Sequence, residues 1–233
     1  MKNLGKKNAN QKNLRFAILA ADTVLFTLKG GALYVRLIPV NHLREFKNQQ
    51  GLPGGLLLPS ETAEMAAERL IEDKAGISLA HLYMEQLYTF SRINRDPRGR
   101  VVAVAYLALV PWEALSAEER ENTGKSWWIP VQEVGKLAYD HNEIVDMAME
   151  RLKAKVSYTT AISKLLPQEF TLTELEEAYE IIIGKNIDRR NFRKKIAKLK
   201  LLTPLKRTRH GERWRPAALY RFYSDKVIDI EIL

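Results

Sequence analysis

The sequence predicts an α/β protein: a mixed α/β sandwich followed by a small helix-turn-helix unit that closes in a β-hairpin. Three observations carry this. From Leu14 to Lys155, apolar β-branched segments are interspersed with only two helical patterns. Beyond Phe170 the order becomes helix, turn, helix, hairpin. The charge is also partitioned. The net +9 resides mainly in the C-terminal third, where Lys185–Arg221 holds 14 basic and two acidic residues.

The elements follow in order. Met1–Asn13 carries four lysines and no acid, and is expected to be a flexible basic tail without the apolar core of a secretory signal. Leu14–Leu28 reads as a long strand. Gly30-Gly31 turns the chain into a second strand, "ALYVRLIPV", and "NHLREFKNQQ" reads as a loop. A helix is expected to begin near Glu61, after Pro59-Ser60, and to stop at Gly76. "LYMEQLYTF" and "RVVAVAYLALV" are two further strands joined by "SRINRDPRG", and "SWWIPV" is another. In "HNEIVDMAMERLKAK", Ile144, Val145, Ala148, Met149 and Leu152 share one helical face. "SYTTAISKLLPQE" has no strand pattern and contains Pro167, so it is expected to be the linker. The expected division is a tail at 1–13, a first domain at 14–156, a linker at 157–169 and a second domain at 170–233.

In the second domain "TLTE" at Thr171–Glu174 is a capping box, and Leu175, Ala178, Tyr179 and Ile182 form an apolar face. Gly184 ends that helix and Asp188 caps the next. On the helical wheel of Arg189–Leu202, Phe192, Ile196 and Leu199 fall together. Arg190, Lys194, Ala197 and Lys198 lie opposite, with Arg193 at the flank. A hairpin follows, with Lys206, Arg207, Arg209, His210, Arg213 and Arg215 around a turn near His210-Gly211. A basic helix after a turn, then a basic hairpin, is the construction of a winged helix. Candidate DNA contacts are Arg189, Arg190, Asn191, Arg193, Lys194, Lys198, Arg207, Arg209, His210, Arg213 and Arg215. Cations bind phosphates, and Arg or Asn also reads base edges. A module for RNA is the alternative the charge leaves open.

Composition excludes other classes. The chain has 233 residues, 46% hydrophobic and 28% charged, an ordinary globular balance with no apolar run near the roughly 18 residues of a membrane span. Cysteine is absent, so disulfides and thiolate metal sites are excluded; a cytoplasmic location is expected. His42, His81, His141 and His210 lack ligand spacing, and are expected at the surface or in packing.

The stretch "LPGGLLLPSETAEMAAERLIEDKAGI" resembles a Nudix box, G-x5-E-x7-R-E-U-x-E-E-x-G-U, where U is aliphatic. Gly55, Glu61, Arg69, Ile71, Gly76 and Ile77 match. Such a box gathers carboxylates that hold divalent cations against a diphosphate. Here Leu70 replaces one Glu, Asp73 shortens the next, and Lys74 reverses the charge of the third. Glu64, Glu68 and Glu72 recur at i, i+4 and are read as a solvated face; Arg69 and Asp73 are expected to form a surface pair. No metal site is expected, and no cofactor is required.

A Nudix-like sandwich followed by a winged helix resembles the Nudix-related transcriptional regulators. The segments Arg95–Val110, Tyr139–Lys153, Phe170–Ile196 and Arg215–Phe222 are similar to that family's as well. The resemblance implies a homodimeric repressor of cofactor-metabolism or sugar-use genes. It implies a palindromic double-stranded operator and an effector in the Nudix cleft, ADP-ribose or a related nucleotide, alternatively a pentose. Arg95, Arg98 and Arg100 suit phosphate binding, while Asp96-Pro97-Arg98-Gly99 also reads as a β-turn with solvated arginines. The rival is an active Nudix hydrolase of ADP-ribose or another nucleoside diphosphate derivative.

Overall fold

The structure is a computed structural model and describes residues 16–41, 44–209, 216–230 and 232. The expected tail at 1–13 lies outside them, as does the hairpin turn with His210, Arg213 and Arg215. Strands β1 (Ile18–Lys29) and β2 (Ala32–Val40) are antiparallel around Gly30-Gly31, both at positive φ as a tight turn needs. The segment expected as a loop contains a 3₁₀ turn and a short strand, β3 (Gln49–Gly51), followed by β4 (Gly54–Leu56). Helix α1 (Ala63–Leu70) starts two residues after the expected point. Thr62 supplies its cap, and Glu61 stays outside the helix. A π-type turn, Ile71–Ala75, continues it to Gly76 in the left-handed conformation. Then come β5 (Tyr83–Phe90), β6 (Val101–Leu109), the short α2 (Ala117–Arg120), β7 (Trp127–Pro130) and α3 (His141–Tyr158).

The main path of the sheet runs β3-β2-β1-β6-β5, with β4 on β1 and β7 on β2; β1 and β6 pair in parallel. These central strands are buried on both faces, which explains their continuous apolar reading. Ala21 and Tyr106 pack on the α1 face with Ala66, Ala67 and Leu70. Val24, Phe26, Ala105 and Leu107 pack on the other face with Ile144, Val145, Ala148 and Leu152 of α3.

The second unit has α4 (Leu172–Ile183), α5 (Arg189–Leu199), β8 (Leu202–Arg209) and β9 (Ala217–Phe222). The Thr171–Glu174 capping box forms, Gly184 caps in the left-handed region, and Asp188 accepts from Asn191 N–H. Residues 157–169, expected as the linker, are packed between the two units. Ser157 and Tyr158 finish α3, and a 3₁₀ turn spans Ala161–Lys164. Ala161, Ile162, Leu165 and Leu166 are buried in one cluster that runs from α3 to Leu175, Tyr179 and Phe192. The C-terminal segment returns over them: Thr160 N–H donates to Ile228, and Ile232 N–H to Ser157. Apolar side chains without strand periodicity left the segment looking open in sequence; burial between two units is what they serve.

Candidate functional site

A cavity of about 610 Å³ opens between the sheet, the end of α1 and the loop after β5, a size suited to a small organic ligand. Its floor includes Asp22 of β1, and Gly54 permits that carboxylate to approach. A Cβ on Gly54 would lie 2.1 Å from Asp22 Oδ1. Arg95, buried, donates to Asp140 (2.7 and 2.9 Å) and to Asp22 (3.0 Å). His141 Nδ1 accepts from Leu52 N–H at 2.9 Å, leaving the proton on Nε2, 3.8 Å from Asp22. Burial keeps the pKa of this imidazole below its ordinary value, with Asp22 pulling it back up, so the ring is neutral at physiological pH.

The three loop arginines part company. Arg95 is committed to two carboxylates rather than offered to a ligand. Arg98 lines the cavity, forked onto Asp96 (2.7 and 3.0 Å), with about two fifths of its side chain exposed. Arg100 donates to the carbonyls of Ser91 and Arg92 and does not line the cavity. The β-turn forms too: Gly99 N–H donates to Asp96.

The box residues also take distinct places. Glu61 and Arg69 form a two-pronged ion pair (2.6 and 2.9 Å). Glu61 accepts Leu58 N–H as well, so the pair fastens the loop to α1. The Arg69 hydrogen bond holds the Glu61 pKa down. Asp73 lies 3.9 Å from Arg69, so the expected i, i+4 pair is secondary to Glu61. Leu70 is buried against Ala66, Ala67, Ala21 and Tyr106 and does not reach the cavity. Gly55 lets the chain pass close: a Cβ there would meet Leu70 at 3.0 Å and Lys74 Nζ at 3.2 Å. Lys74, solvent-accessible on its outer side, donates from Nζ to Gly54 O at 2.6 Å. The divalent cations that a Nudix box implies do not fit these residues. A hydrocarbon and an ammonium occupy two of the carboxylate positions, and among the described residues no three acidic or imidazole side chains converge to hold a metal.

Sequence reasoning missed Asp22, Tyr139, Asp140, His141 and Arg36. Arg36 is buried with no carboxylate at ion-pair distance among the described residues, Glu119 acting on it from farther away. Arg36 donates to Ala75 O (3.2 and 3.3 Å) and Glu121 O (3.1 Å), its guanidinium 5.1 Å from the Trp128 ring centre. Burial brings its pKa down to about 10. Its charge suits the C-terminal carbonyls of the α1 turn. A polar residue alternating within a strand gives no signal of the partner that buries it.

The basic second unit divides as well. Arg193 forks onto Glu176, which is fully buried, and Arg189 pairs with Glu180 at 3.2 Å. Arg207 pairs with Glu169, and Arg209 with Glu174. Asn191 Nδ2 donates to Asp188 at 2.7 Å. Arg190, Lys194 and Lys198 stand exposed on the outer face of α5, with no ion pair among the described residues.

A cleft at a loop–helix, joined by a continuous core to a basic winged helix, defines a two-domain protein with a ligand-sized cavity in one unit and a DNA-binding fold in the other. The profile of the NUDIX domain family matches residues 18–148, and that of the NrtR DNA-binding winged helix domain matches 162–222. The ADPR responsive transcriptional repressor NtrR of Acinetobacter baylyi is 33% identical, over 88% of this chain and 82% of that protein. Shewanella oneidensis NrtR in complex with a 27mer DNA superposes with a TM-score of 0.78 at 33% identity, covering 88% of this chain and 93% of the other. Its NUDIX domain complexed with ADP ribose gives 0.53 at 32% identity, over 62% and 94%. An ADP-ribose pyrophosphatase of Methanocaldococcus jannaschii is 31% identical over 43% of this chain and 57% of that enzyme. The chain belongs to the NrtR family of Nudix-related transcriptional regulators, as the resemblance of its box and its winged helix anticipates.

Proposed function

We propose that this protein is a cytoplasmic homodimeric repressor that binds ADP-ribose in the cavity without hydrolysing it and releases a palindromic operator in response. The observation that carries the reading is Lys74 at the cavity mouth on Gly54 O, with Leu70 buried, at positions where hydrolysis needs carboxylates. The Acinetobacter repressor's response to ADP-ribose and the ligand in the Shewanella domain support the effector class; neither favours a pentose. Arg98 is assigned to the diphosphate. Arg190, Lys194 and Lys198 are assigned to DNA phosphates, with Arg189 and Arg193 setting the helix that presents them. The Arg207 and Arg209 pairs with Glu169 and Glu174 hold the base of the wing. Repression requires DNA and effector to prefer different arrangements of the dimer. The core from α3 through Ile162 and Leu165 to α4 is the packed path by which the cavity reaches the DNA-binding unit.

The test is fluorescence anisotropy with duplex DNA from upstream of the genes this protein controls. ADP-ribose should raise the apparent Kd for that duplex. Unchanged affinity at saturating ADP-ribose would refute the release model. Preference for structured RNA in competition would count against an operator. The pyrophosphatase match motivates the second reading, a hydrolase. Sustained turnover of ADP-ribose with Mg²⁺ or Mn²⁺, proportional to protein, would establish it and end the pure-sensor reading.

A further inference from the structure

Lys74 is more than a lost carboxylate. Four cations line the cavity: Lys74, Arg95, Arg98 and Lys125. Arg95 is neutralised by Asp22 and Asp140, and Arg98 is paired with Asp96. Lys74 and Lys125 have no ion pair among the described residues, and of these two Lys74 is the one whose ammonium is held by a hydrogen bond. Its ammonium donates to a backbone carbonyl, Gly54 O, and no carboxylate lies within ion-pair distance of it among the described residues. A carbonyl orients an ammonium without cancelling its charge, and an ammonium has three donors, so two remain for another acceptor. The close approach is built in. Gly55 has no side chain to interfere, and an added Cβ would come within 3.2 Å of the ammonium. The turn that carries Lys74 is fixed from behind: Arg36 and Ser126 Oγ both donate to Ala75 O. The side chain is therefore placed by packing and hydrogen bonds rather than by chance.

We infer that the Lys74 ammonium is an internal substitute for a divalent cation: fixed at the cavity mouth on Gly54 O, it binds the diphosphate of the effector together with Arg98, so that effector binding needs no metal. A point cation held beside a guanidinium matches adjacent phosphoryl groups, and each charge-assisted hydrogen bond is stronger than a neutral one. The inference rests on ADP-ribose as the effector, and it adds which group supplies the charge and makes binding independent of metal. A surrogate cation that cannot activate water would also keep the diphosphate intact.

The experiment is isothermal titration of the full chain with ADP-ribose, once in EDTA and once in Mg²⁺, for wild type, Lys74→Met and Lys74→Glu. Thermal melts confirm that each variant is folded. Wild type is expected to bind equally in both buffers, within about twofold. Lys74→Met should bind roughly 10- to 100-fold more weakly in either buffer, the loss expected for hydrogen bonds to a charged group. Lys74→Glu should be weaker still in EDTA, with Mg²⁺ restoring part of its affinity. Wild-type binding that collapses in EDTA, or a folded Lys74→Met variant with unchanged affinity, would overturn the inference and leave the ADP-ribose reading standing. Failure of folded wild type to bind ADP-ribose in either buffer would instead overturn that reading and the inference with it.

Discussion

Arg193→Ala and Lys194→Ala change adjacent residues of α5 and should have opposite phenotypes. Arg193 makes two hydrogen bonds to Glu176, a carboxylate with no exposed surface, while Lys194 is exposed. Removing one partner of a buried ion pair costs roughly 3–5 kcal/mol because the other charge is left in the interior. Arg193 is itself 48% exposed, so solvent already screens the pair, and Arg189 stays 3.9 Å from the same carboxylate. Both reduce the loss, to about 2 kcal/mol. For a chain of this size that is a fall in Tm of about 4–8 °C. Lys194→Ala should change stability by less than about 0.5 kcal/mol. Its effect belongs to DNA: the slope of log K against log salt should flatten by about one for the lost phosphate contact. Urea denaturation and anisotropy at several salt concentrations measure the two effects on the same preparations. An Arg193→Ala protein with wild-type stability and a flattened salt slope would refute the division of the helix into an inner fastening and an outer binding face.

Three further outcomes are expected. In calorimetric titration, Arg98→Ala should weaken ADP-ribose binding by roughly tenfold, whereas Arg100→Ala should leave it within about twofold, because Arg98 lines the cavity and Arg100 does not. Gly54→Ala drives a methyl group into Asp22 Oδ1 and to 2.9 Å from Ala21 O; it should cost about 1–3 kcal/mol in denaturation and weaken stabilisation by ADP-ribose. Buried His141, with Asp22, Arg95 and Asp140 facing it, stays neutral in the folded state while the unfolded chain takes up a proton below its ordinary value of about 6.5. Its contribution to stability is therefore full above about pH 6.5 and declines as the pH falls towards the lowered folded value, by up to about 1.4 kcal/mol per pH unit. His141→Asn should flatten the stability profile there. Glu61 and Asp96, whose pKa values are held low, act separately: their contributions persist above the ordinary carboxylate range and fade in more acid solution. An identical slope in His141→Asn and wild type between pH 6.5 and 5 would show that another group titrates.

Much of the fold is written locally, and so was legible. The strand β2, the Thr171–Glu174 box, the Gly76 and Gly184 stops and the apolar face of α3 each depend on residues within a turn or two of one another. The damaged box was legible for the same reason, as a spacing within one stretch. What was not legible depended on distant partners. Residues 157–169 resemble a linker until the two units and the returning C-terminal segment bury them. Arg95 and Arg98 are alike in sequence and both line the cavity, yet Asp22 and Asp140, both remote from the loop, take up the charge of Arg95.

By itself, then, the sequence determined the two-unit architecture, the positive charge of the second unit and the replacement of carboxylates at Leu70 and Lys74. Periodicity, capping and composition act over short separations along the chain. Only the tertiary structure decided which charges are available. It buried Glu176 beneath Arg193, left Lys194 in solvent, seated Asp22 against Gly54 and placed Lys74 on a carbonyl. A charge acts according to its partners and its access to water, and both are set by chain segments that meet only when the protein folds.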